Sequence, residues 1–90
     1  MENYEILAKA IIKHQESIIG PLAWSEAKKV RGASVGGEKV KYSGEGKFFL
    51  ESLVKQYETL FGQASVEACK DAIRPLLPKM GQVELPQNLL

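Results

Sequence analysis

With only one cysteine, Cys69, in its 90 residues, the chain has no partner for an intramolecular disulfide and no thiol pair to hold a metal ion. That usage points to a cytoplasmic setting. Apolar runs stop after a few residues, far short of the ~20 that cross a bilayer, and Met1-Glu2-Asn3-Tyr4-Glu5 is acidic where an export signal is basic. A chain neither inserted in a membrane nor exported is expected. Excess charge of one sign is also missing: 12 basic against 11 acidic residues leave a net +1, which excludes nucleic-acid binding through bulk charge.

Catalytic and cofactor signatures are sparse too. The single histidine, His14, and the single cysteine lie in different segments, so the spacing assembles no nucleophile and base pair. The glycine-rich stretch Gly44-Glu45-Gly46-Lys47 lacks the wider glycine spacing and the Ser or Thr after lysine that a phosphate-cradling loop needs, and its glutamate would repel phosphate. Clusters of metal-ligand residues are absent. No enzyme, no cofactor and no metal site is expected.

What is present suits a folded domain, with 44% apolar and 26% charged residues in a chain too short for two cores. Apolar residues at helical spacing (Leu7, Ala8, Ile11, Ile12, Ile18, Ile19) predict a first helix over 3–19, stopped by Gly20. Pro21 suits the first turn of a second helix over 21–30. Periodicity then ceases, five glycines appear between 32 and 46, and Ala33-Ser34-Val35 and Lys39-Val40-Lys41-Tyr42 flank a turn-forming Gly36-Gly37-Glu38. A β-hairpin over 33–42 follows, with Val40 and Tyr42 on one face and Lys39 and Lys41 on the other. A third helix over 47–61, with Phe49, Leu50, Leu53, Val54, Leu60 and Phe61 inward, stops at Gly62. Ser65 is the expected N-cap of a fourth helix, which Pro75 kinks or ends near Arg74.

The predicted fold is therefore α+β, mainly helical, in the order α-α-β-β-α-α. Residues 1–80 form its single domain and 81–90 an irregular tail. An offset of 42 residues lays 7–20 over 49–62, with Lys13, Glu16 and Gly20 identical to Lys55, Glu58 and Gly62. This is the pattern of two helix-glycine-helix hairpins joined by a β-hairpin. Two such units leave apolar faces that a neighbour normally covers, which favours a self-associating homodimer or docking on another protein.

Three sets of residues are candidates for function. Trp24, Tyr42 and Tyr57 are aromatic anchors of the kind that dominate protein interfaces. Lys28, Lys29, Arg31, Lys39, Lys41 and Lys47 give residues 28–47 a local excess of four positive charges over Glu38 and Glu45, the chemistry of a basic hairpin that binds nucleic acid. His14 and Gln56, at equivalent places on the stripes Leu7-Ile11-His14-Ile18 and Phe49-Leu53-Gln56-Leu60, are expected to hydrogen-bond across the core as a buried polar pair. The leading expectation is a small non-catalytic regulatory or protein-interaction module. A nucleic-acid-binding domain and a small-ligand sensor with a pocket between the helical hairpins are the alternatives.

Overall fold

Helix α1 (Asn3–Ile19) opens where the Glu2 carboxylate accepts the Glu5 backbone N–H at 2.7 Å, so a side chain satisfies one of the free donors of the first turn. It ends at Gly20, whose φ of 73° lies in the region that side-chain-bearing residues avoid. Helix α2 (Leu22–Ala27) follows after Pro21 and is shorter than the expected 21–30. Beyond Ala27 the backbone tightens into three-residue turns, with Lys29 N–H bonded to Glu26, Val30 to Ala27 and Ala33 to Val30. The computed structural model describes residues 2–90.

Strands β1 (Ala33–Gly36) and β2 (Lys39–Tyr42) pair antiparallel, placing Ala33 opposite Tyr42 and Val35 opposite Val40. Alternation sends Val40 into the core and Lys39 and Lys41 to solvent, as the sequence pattern predicts. Helices α3 (Gly46–Phe61) and α4 (Gln63–Ile73) complete the order α-α-β-β-α-α. The expected N-cap is corrected: α4 begins at Gln63 directly after Gly62, and Ser65 is a buried residue of its first turn. Gly62, with φ of 83°, turns the chain by itself, so α4 follows α3 with no longer link.

The core joins Leu7, Ile11 and Ile12 of α1 with Leu50, Leu53 and Val54 of α3, Ile73 of α4 and Val40 of the hairpin. Helix α1 packs most extensively on α4 and less on α3. The tail is irregular in backbone, with 3-10 turns at Leu77–Lys79 and Gln87–Leu89, yet it belongs to the core. Leu89 and Pro86 are buried, Asn88 Nδ2 donates to the Glu51 carbonyl at 3.1 Å, and the Tyr4 hydroxyl donates to the Glu84 carbonyl at 2.8 Å.

The two helical hairpins make the same bonds 42 residues apart. Gly20 N–H reaches Glu16 at 2.9 Å and Gly62 N–H reaches Glu58 at 2.8 Å, while Ala23 N–H and Ser65 N–H each reach the preceding glycine carbonyl at 3.0 Å. Between hairpins the match is reciprocal. Gln15 of α1 donates to the Ser65 carbonyl of α4, and Tyr57 of α3 donates to the Ala23 carbonyl of α2. Both glycine turns therefore lie at one end of the molecule, side by side.

Candidate functional site

The expected buried pair of His14 and Gln56 is not formed. Besides Glu5 near its start, the buried polar side chain of α1 is Gln15, whose Nε2 donates to the Ser65 carbonyl at 3.0 Å and to Cys69 Sγ at 3.4 Å. His14 is half-buried, and Gln56 donates instead to Glu26 Oε1 at 2.8 Å. The physical reason is a matter of angle. At ~100° per residue, Leu7, Ala8, Ile11, Ile12 and Gln15 share a mean direction, and His14 lies ~90° away from it. Its equivalent Gln56 is displaced in the same way from Phe49, Leu50, Leu53, Val54 and Tyr57. The inner row runs in steps of four residues, and the sequence reading took a step of three.

Tyr57 is corrected along with that pair. It is fully buried, with its hydroxyl on the Ala23 carbonyl at 2.7 Å, and so offers nothing to a partner. Trp24 is half-buried against the core, and Tyr42 is half-buried with its ring stacked on Phe49 at 5.1 Å and edge-on to Tyr4 at 6.4 Å. Beside Gln15, burial pushes the Cys69 thiol up to about 11, outweighing the opposing hydrogen bond from Gln15. The neutral, enclosed thiol packs as an apolar group at physiological pH.

Half of the basic set is paired with carboxylates. Lys29 pairs with Glu26 at 3.0 Å, Lys41 with Glu5 at 3.5 Å and Lys47 with Glu84 at 3.7 Å, so three of the six cations sit beside carboxylates from α2, α1 and the tail. Lys13 of α1 in turn pairs with Glu38 at the hairpin tip. Lys28, Arg31 and Lys39 are exposed. Because Lys29 donates one bond to Glu26 and Gln56 a second, that carboxyl stays below its ordinary range and remains charged beside the basic segment.

The surface that stands out is the end bearing the two glycine turns. Ile18, Leu22, Leu60 and Phe61 are 60, 44, 49 and 36% exposed there, although Ile18, Leu60 and Phe61 fall on faces that the sequence pattern assigned to the core. Ile18 and Leu60 point within about 50° of the buried direction of their helices. What they lack is a neighbour, since the next helix starts at Leu22 or Gln63 and turns back before covering them. Residues 17–25 and 59–66 contain no charged side chain, whereas at 26% charged residues these seventeen positions would carry about four. That gap in the charge pattern was the available signal in the sequence.

A cleft of about 210 Å³ opens on this end between α1 and the start of α4, lined by Ile18, Ile19, Phe61, Ala64 and Ala68 with Gln15 and Ser65 at its polar edge. Its volume lies below the ~300 Å³ at which small-molecule sites usually begin. A second, open depression of about 340 Å³ lies near the other end of α3, between Arg31, Glu45 and Phe48. Among the described residues no three metal-ligating side chains gather, and no helix is long and apolar enough to cross a membrane. Comparison with family models, curated proteins and solved structures finds no match.

Proposed function

We propose that this chain is a small, non-catalytic protein-interaction module of regulatory kind that works in the cytoplasm and docks through the end formed by its two glycine turns. One observation carries the reading: large apolar side chains are exposed together on two stretches of chain, 17–25 and 59–66, that carry no charge. Interface centres are depleted of charge and built from apolar groups, and leaving such groups in water forfeits about 25 cal/mol for each Å² that a partner would cover. The nucleic-acid reading is weaker, because half of its cations already face carboxylates. The ligand-sensor reading is weaker because the cleft between the hairpins is small.

Photocrosslinking in living cells tests the proposal. A benzophenone amino acid is placed at Ile18 or Leu60, and at Lys39 of the hairpin for comparison. Protein adducts should form from the first two positions at several times the yield from Lys39. Nuclease-sensitive adducts from Lys39, or no protein adduct from Ile18 and Leu60, would overturn it.

A further inference from the structure

We propose that the occupant of the uncharged end is a second copy of this chain, in a twofold dimer where Leu22 of each copy enters the cleft beside Ala64 and Ala68 of the other. The inference rests on the reading of that end as a contact surface and adds its partner and geometry. Its starting point is the correspondence between the hairpins at an offset of 42. Leu22 corresponds to Ala64, Glu26 to Ala68 and Tyr57 to Gln15, so at each of these positions the side chain flanking the cleft is the smaller of the two. The first hairpin therefore presents a projecting leucine where the second presents a hollow. Knob and hollow share one end of the molecule, on opposite sides of the line where the two turns meet.

That placement has a symmetry consequence. A twofold axis lying in the plane of the end face, perpendicular to the line from knob to hollow, brings each knob opposite the partner's hollow. Both contacts form at once and no second knob or hollow remains free, so association closes at two copies. The cleft suits the occupant in size, since a ~150 Å³ apolar cavity accepts a benzene ring and this one is about 210 Å³. It suits it in polarity as well: the two N–H donors of Gln15 Nε2 are already spent on the Ser65 carbonyl and Cys69 Sγ, so no donor of that amide waits for a polar ligand.

Eleven of the seventeen uncharged residues are exposed, Ile18, Leu22, Leu60 and Phe61 among them. The seventeen residues themselves carry no charge, so a second copy seated on them brings few ions to desolvate.

Two measurements on the full chain decide it. Sedimentation equilibrium from low micromolar to near-millimolar concentration should show the 9.9 kDa mass doubling and rising no further, and Leu22→Ala should weaken the association at least about tenfold. Leu22→Cys and Ala64→Cys, both at exposed positions, then test the geometry under mild oxidation with Cys69 buried and out of reach. Mixing the two variants should give a disulfide-linked dimer at least about tenfold faster than either variant alone. Leu22→Cys linking to itself as fast as the mixture would overturn the knob-in-cleft arrangement. A mass that stays at one copy throughout, with no link in the mixture, would overturn the second-copy occupant. In that event protein adducts from Ile18 in cells would leave the docking surface standing, and their absence would remove both readings.

Discussion

Replacing Tyr57 with phenylalanine isolates one half of the reciprocal hydrogen bonding that joins the two hairpins. The ring is fully buried and survives the change, so no cavity of consequence opens. What is lost is the 2.7 Å bond to the Ala23 carbonyl, in a residue that is itself fully buried. A net hydrogen bond contributes about 1 kcal/mol, and a buried acceptor deprived of its donor adds to the loss, giving an expected destabilisation of about 1.5 kcal/mol. In a domain of this size ~1 kcal/mol moves the melting temperature by 4–8 °C, so a fall of about 6–12 °C should appear in thermal unfolding followed by circular dichroism. Urea unfolding should show the same loss with an unchanged slope. Absorbance titration provides a second readout, because burial, followed by the influence of Cys69 and Glu26, holds the Tyr57 hydroxyl well above its ordinary value of 10. The folded value is the raised one, so the associated stability is present below pH 10 and is lost above it as the unfolded tyrosine ionises. Burial also pushes the Tyr42 hydroxyl up to about 12, so the wild type should show two late-titrating phenols and Tyr57→Phe only one. A stability change below about 0.3 kcal/mol, or a full complement of phenols titrating at the ordinary midpoint in the folded protein, would refute the argument.

Cys69 should make stability fall between pH 9 and 11, since its folded value is pushed up to about 11 from 9.0 and the neutral form is the one the core accepts. The loss should approach about 3 kcal/mol, and Cys69→Ala should remove it from the pH profile of urea unfolding, leaving the loss above pH 10 that Tyr57 contributes. Gly20→Ala and Gly62→Ala should each cost about 1–2 kcal/mol, measured by the same unfolding assay. At both glycines an added Cβ meets open space, so the cost is the positive φ alone. Gly46→Ala should cost more than either, on the order of 3 kcal/mol, because its Cβ would land on the Tyr4 ring, which is held by the Glu84 carbonyl and packs against Tyr42. Equal melting temperatures for the Gly20, Gly62 and Gly46 variants would show that the close approach of Tyr4 carries no weight.

Local chemistry by itself determined the order of the elements. Gly20 and Gly62 are the stops, and they adopt φ of 73° and 83° because a residue without a side chain is needed where each helix ends. Pro75 removes a donor, and α4 ends at Ile73 just before it. Alternation over 39–42 placed Val40 inside and its lysines outside. These features depend on neighbours along the chain, and a sequence displays such neighbours directly. Which face of each helix is covered, and how far along, depends on other elements and was decided only by tertiary packing. Gln15, not His14, enters the core because α4 lies along the row of four-residue steps on α1, a fact about a helix some fifty residues away. Ile18, Leu60 and Phe61 have core-like character and core-like positions, yet they remain in water because the chain turns back before anything reaches them. The candidate surface was legible only as a gap in the charges of 17–25 and 59–66. That the two gaps meet at one end follows from the crossed bonds of Gln15 with Ser65 and Tyr57 with Ala23, which form only when the hairpins pack.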